Sequence, residues 1–323
     1  MLAGLLALSL AACSGPERIA LGGGGGGDDE AEPRGGIGGT GISPDASVGV
    51  IGTLTGFGSL KVNGLTLETD ARAAASPVGV VELAAGHVLE AGAVRTSRGL
   101  EARGVQAVIA LAGPVTLSPT QETLEIAGVE VRLETGAPLP PGGVRAGDRV
   151  AVSGLWRGDA LVASRIDPLP EGAQDVVSGV VSGGPEGPRI GGMRLAGPAP
   201  DIGDYAVLTG RWTAEAGFAA ESAQVGRPLF EARLRRLSVE GYLEDGAEGY
   251  ALYGLGAELD PGARIDRMSA GRAVFIGRWD GLAGGRFVVE HGIPLPEGGA
   301  ARAFALGRIG DGLSPSAGAV ETR

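Results

Sequence analysis

The chain has 323 residues, 61 of them Gly, where an ordinary protein carries about 7%. A net charge of −11 argues against a nucleic-acid binder, and a single Cys excludes an intrachain disulfide framework and a Cys-based zinc site. Glycine shows no three-residue period, which excludes collagen, and 43% hydrophobic with 20% charged residues is the balance of a folded chain.

Residues 1–12 read as a signal peptide, with an apolar run over 2–12 that is too short to span a bilayer. Cys13 follows at once, within Leu10-Ala11-Ala12-Cys13. This resembles the lipobox of bacterial lipoproteins, with one departure: no basic residue precedes the apolar run. The resemblance implies cleavage before Cys13 and acylation of that residue. Several acyl chains anchor a protein stably, so the expected partner is the membrane. The expected location is the cell envelope, with Ser14 favouring the outer membrane, facing the periplasm, over the inner. Residues 13–47 include Gly22–Gly27 and the acidic Asp28, Asp29, Glu30 and Glu32, a composition that predicts a flexible, solvated linker. The acidic cluster lacks the alternating ligand spacing of an EF-hand. The Gly-rich run over 35–41 lacks the Lys-Ser/Thr pair of a phosphate loop.

From Val48 onward short alternating apolar runs are punctuated by Gly, the texture of strands and tight turns. Four segments repeat one pattern, 83–94, 144–156, 201–212 and 268–279. Each has a turn Gly (Gly86, Gly147, Gly203, Gly271), an alternating strand, a second Gly (Gly92, Gly154, Gly210, Gly277), and a bulky residue two places on: Val94, Trp156, Trp212 or Trp279. The predicted fold is all-β, a tandem array of about four five-stranded OB-like barrels or meanders after the N-terminal linker. The expected units are 48–107, 108–172, 173–228 and 229–296, with a tail over 297–323. The best helical candidate, 229–237, runs into a strand-like stretch and is read as mostly extended. A unit of about 60 residues is marginal alone, so neighbouring units are expected to pack on each other as a rod or compact array. The lead Gly-Gly-Ile-Gly-Gly-Thr-Gly over 35–41 with the segment Gly56–Gly64 resembles bacterial envelope lipoproteins that carry repeated small β domains of unknown function. The resemblance implies architecture and location, and no activity.

Chemistry is sparse. His87 and His291 are the two imidazoles, and both are expected on solvated turns. No motif marks a nucleophile, a carboxylate pair, a metal site or a cofactor site, so the chain is read as not an enzyme. Trp156, Trp212 and Trp279 are read as covering their own units; the functional alternative is a row of platforms for a glycan or lipopolysaccharide. Alternation sets Arg211 and Arg278 opposite their Trp neighbours. Arg233, Arg235 and Arg236 are read as a charged linker or sheet edge. The expected function is a non-catalytic scaffolding or interaction role with an envelope protein or glycan as partner.

Overall fold

The computed structural model describes residues 47–117, 122–230, 234–246, 249–252, 255–265, 271–280 and 286–296. The expected signal peptide over 1–12, Cys13, the expected linker up to residue 46, Arg233 and the expected tail over 297–323 lie outside them. Among the described residues every regular element is a β-strand. The segment after residue 233 is strand, in agreement with the extended reading of 229–237.

The strands pair in four successive rounds. The first runs β1 (Ser47–Gly56), β2 (Leu60–Val62), β3 (Leu65–Glu68), an extra hairpin of β4 (Ala73–Ser76) and β5 (Gly79–Glu82), then β6 (Val88–Thr96) and β7 (Gly99–Val108). Pairings β1–β2, β2–β3, β3–β7, β7–β6 and β6–β1 return to the strand they began with, and only β3–β7 is parallel. The second round repeats this order with β8 (Leu111–Leu117), β9 (Thr123–Ile126), β10 (Val129–Leu133), β11 (Arg149–Arg157) and β12 (Ala160–Pro168). The third uses β13 (Asp175–Gly184), β14 (Gly187–Ile190), β15 (Met193–Ala196), β16 (Tyr205–Thr213) and β17 (Gly217–Val225). The fourth uses β18 (Leu234–Gly241), β19 (Leu243–Gly246), β20 (Gly249–Leu252), β21 (Leu255–Ile265), β22 (Ala273–Asp280) and β23 (Arg286–Pro294). Its pairings run β19–β20–β21–β23–β22–β18, and no β18–β19 pair closes it among the described residues.

First strands join the rounds into two sheets. β8 and β13 pair antiparallel, so the second and third units share a 10-stranded sheet. β1 and β18 pair parallel, so the first and last units share a 13-stranded sheet. The order is therefore not a rod of neighbours, because the chain brings its last unit back onto its first. One apolar cluster runs through the second and third units, from Leu111 and Val152 to Leu208 and Phe218. Another centres on Phe275 and Phe287 of the fourth unit and takes in Ile51 and Val88 of the first and Leu155 of the second. The described residues fall in one compact unit.

The repeated glycines have two separate causes. In three units the turn Gly has positive φ, 94° at Gly86, 88° at Gly147 and 98° at Gly203, a region that L side chains disfavour. Each donates its N–H to a first-strand carbonyl, and that first-strand residue donates back to the residue after the Gly. The pairs are Leu54 with Gly86 and His87, Val115 with Gly147 and Asp148, and Val181 with Gly203 and Asp204. The second Gly sits at a β-bulge, where the register slips by one residue at Ser153/Gly154, Thr209/Gly210 and Ile276/Gly277. There a Cβ would collide with a carbonyl oxygen of the partner strand, that of Val162, Ala219 or Val288.

In the first unit the same bulge falls between Gly92 and Ala93. The equivalent of Gly154 is thus Ala93, not Gly92, and the Trp position falls on Arg95, not Val94: Arg95 faces Leu100 as Trp156 faces Leu161 and Trp279 faces Phe287. In the fourth unit the turn is offset too. Arg272 accepts at its carbonyl from Leu295, as Arg149 does from Leu169 and Tyr205 from Gly226, so Arg272 heads a fourth strand and is not the counterpart of His87.

Gly277→Ala is expected to cost about 1–3 kcal/mol, because the bulge carbonyl must move. Gly256→Ala, in β21 with open space around its Cβ position, is expected to stay within about 0.5 kcal/mol. Urea unfolding midpoints of the two variants check this; equal midpoints would refute the carbonyl-approach explanation.

Candidate functional site

Trp156, Trp212 and Trp279 are each half-buried and packed against the cores. The Trp156 indole donates from Nε1 to the Ser178 carbonyl at 2.8 Å and lies against Gly191, in the β14–β15 turn of the third unit. Trp212 in turn lies against Gly128, in the β9–β10 turn of the second unit. The two units thus exchange indoles, each wedged on a hairpin where a side chain would have to displace the ring. Trp279 meets Phe230 edge-on, with centroids 6.3 Å apart. Arg211 and Arg278, next in sequence, are exposed as alternation predicts.

His87 is not on a solvated turn: it is 3% exposed. Its turn is pressed against β12, and Ser164 Oγ donates to the Gly86 carbonyl beside it. Nδ1 accepts the Ala84 N–H, which leaves Nε2 to carry the proton toward Asp167 Oδ2 at 3.0 Å. Arg165 completes the group, with Nε bonded to Asp167. Burial pushes the Asp167 carboxyl up, but the hydrogen bonds from His87 and Arg165 and the Arg165 charge outweigh it and hold it below the ordinary Asp range. His291 is exposed, within strand β23. Arg235 and Arg236 lie in β18, which runs between β22 and β1, so they do not form a sheet edge; Arg236 pairs with Glu290 at 2.7 Å.

The densest chemistry lies where units meet, and no sequence motif marks it. Arg272, 8% exposed, binds Glu240 of its own unit at 2.9 Å, Glu134 of the second unit at 2.7 Å and the Thr53 hydroxyl of the first at 2.6 Å. Glu240 also accepts the Thr53 N–H at 2.7 Å. Burial disfavours the Arg272 charge, but Glu240 and Glu134 overcome it and hold the guanidinium above its ordinary range. A second buried pair joins Arg227 to Glu90, with the Arg227 guanidinium 3.5 Å from the centre of the Tyr205 ring. A half-exposed pair joins Arg149 to the buried Asp175, which also accepts the Trp212 N–H. One sequence signal was available: Glu240 stands at a first-strand place occupied by Ile51, Ala112 and Ser178 in the other units.

Beside the Arg227–Glu90 pair the first and third units enclose a cleft of about 270 Å³, whose lining includes Glu90, Gln106, Tyr205, Thr209, Ser222 and Gln224. No group of three or more His, Cys, Asp or Glu among the described residues is placed to hold a metal ion.

Arg272→Met strands Glu240 without a counter-charge and is expected to lose about 3–5 kcal/mol of stability. The double variant Arg272→Met, Glu240→Gln should recover part of that loss in denaturant titration; no recovery would remove the ion pair as the cause. Because the Asp167 pKa is lowered by folding, its contribution is present above the unfolded Asp range and is lost as pH falls through the folded value. Thermal midpoints measured from neutral to acid pH should therefore fall less steeply in Asp167→Asn than in the parent.

Comparison with protein-family models, with curated proteins and with solved structures found no match to this chain.

Proposed function

We propose that the chain is a lipid-anchored protein of the bacterial envelope, whose four β-units, each a small OB-like barrel, form one non-catalytic interaction body. The anchor reading is supported by Leu10-Ala11-Ala12-Cys13 directly after an apolar run, with Cys13 the single cysteine. The barrel reading is supported by the 1-2-3-5-4-1 order of pairing, which three units complete, the third and fifth strands being parallel.

One observation carries the non-catalytic reading. The one buried imidazole and two of the arginines at the unit boundaries are already bonded to carboxylates of neighbouring units: His87 to Asp167, Arg149 to Asp175, and Arg272 to Glu134. A group held this way positions its neighbour and has little freedom to engage a substrate. The alternative, a glycan- or lipopolysaccharide-binding row formed by Trp156, Trp212 and Trp279, has less support. Two of those rings already rest against hairpin glycines.

Cys13→Ala is expected to abolish acylation and to lower the share of the protein in the membrane fraction, whereas globomycin treatment of the producing cells is expected to block processing and leave an uncleaved precursor in the membrane. Labelling with an alkyne fatty acid followed by click detection should mark the parent and not the variant. Unchanged processing and partition in both arms would overturn the anchor reading.

A further inference from the structure

We infer that the cleft between the first and third units binds a neutral polyhydroxyl ligand about the size of one sugar ring. Its walls carry the same structural position twice. In the first unit Glu90 pairs across the ladder with Gln106, and in the third Val207 pairs with Gln224. The two glutamines are therefore equivalent residues of their fifth strands, and both line the cleft. Neither carboxamide makes a hydrogen bond among the described residues. Every carboxamide has two donors and an acceptor, so the cleft is lined from both units by a two-way hydrogen-bonding side chain, half-buried at Gln106 and exposed at Gln224.

The remaining lining defines what such groups would meet. Ser222 and Thr209 add hydroxyls, bonded to each other at 2.6 Å and able to exchange donor and acceptor roles. Ile109 and Val207, packed in one apolar cluster, add hydrocarbon to the lining. The Glu90 charge is met by Arg227, so the site offers no net charge to an ion. Neutral groups that both donate and accept, beside hydrocarbon, suit a ring bearing hydroxyls on its rim and C–H on its faces. The volume of about 270 Å³ lies just under the usual range for drug-sized ligands, roughly 300–1,000 Å³. A ligand of about a dozen non-hydrogen atoms is weakly held, with a dissociation constant near ~1 mM. Because the walls belong to different units, the bound ligand would tie those units together. The inference stands independently of the anchor at Cys13 and moves glycan recognition away from the Trp positions.

Saturation-transfer NMR on the whole mature protein tests it, with glucose and N-acetylglucosamine at about 10 mM as probes and glucuronate as the charged comparison. Transfer to both neutral sugars, weaker transfer to glucuronate, and at least about tenfold weaker binding in Gln106→Ala, Gln224→Ala are expected. Gln224 is exposed, so Gln224→Ala alone serves as a second variant whose fold is not at risk; it should weaken binding in the same direction. No transfer to either neutral sugar overturns the inference. Transfer that persists undiminished in the double variant also overturns it and directs attention to the rims of Trp156 and Trp212.

Discussion

A strand ring of about 60 residues buries too small a share of its own surface to be secure alone. That constraint governs the rest of this molecule. The chain has three Trp, four Tyr and six Phe to distribute among four such units, so no unit can be filled by aromatics. The solution is to share. The second and third units have one continuous core, and the fourth borrows Ile51, Val88 and Leu155 from two others. Sharing also uses first-strand edges that would otherwise be open to stray pairing. The two joints differ in consequence. An antiparallel joint, β8 with β13, is compatible with a local twofold relation, and its units exchange Trp156 and Trp212 on each other's hairpins. The parallel joint, β1 with β18, cannot be reciprocal. There Asn63 of the first unit reaches the Ser238 carbonyl of the fourth at 3.1 Å.

Apolar sharing brings units together without saying in which orientation, and the charges at the unit boundaries, two of the three arginines among them buried, address this. The residue heading the fourth strand is a fastener in three units. Arg149 reaches Asp175 of the third unit, Tyr205 stacks on Arg227, which pairs with Glu90 of the first, and Arg272 ties the fourth unit to Glu134 and Thr53. Ion pairs of this kind bring little net stability compared with apolar residues of the same shape, but an orientation that left one partner alone would be heavily penalised. They therefore act mainly against wrong arrangements of similar units, a hazard specific to repeated sequences.

The strand texture, the repeat and the two kinds of Gly were legible because each leaves a local mark: alternation, a turn residue, a spacing. The pairing of the first unit with the last was not, since nothing local to Val48–Ile51 or Leu237–Val239 names the partner strand. The slip at Ala93 misled for a related reason. Gly92 lies next to the true bulge position, and a pattern that counts glycines follows the letter when the ladder follows the backbone. As the residue after the turn Gly, His87 corresponds to Asp148 and Asp204. Its burial comes from β12 packing over it, a contact made by residues about eighty positions away in the chain.

The same structural place can thus be put to different uses as the units diverge. The fifth-strand position of Gln106 is Gln224 in the third unit, Asp167 in the second and Ile293 in the fourth, each facing its fourth-strand partner across the ladder. In the second unit it holds His87 and closes the joint with the first. In the fourth it packs with Val274, Ile276 and Leu295. In the first and third it ends in a carboxamide facing a shared cleft. A fastener needs a charge with a partner, and a packing position needs hydrocarbon. Glutamine is a poor choice for either, since its amide must be solvated or bonded and its flexible stem gains little by burial. Its appearance at both equivalent walls, and in neither of the units where the position is sealed, is what separates this cleft from the other joints of the molecule.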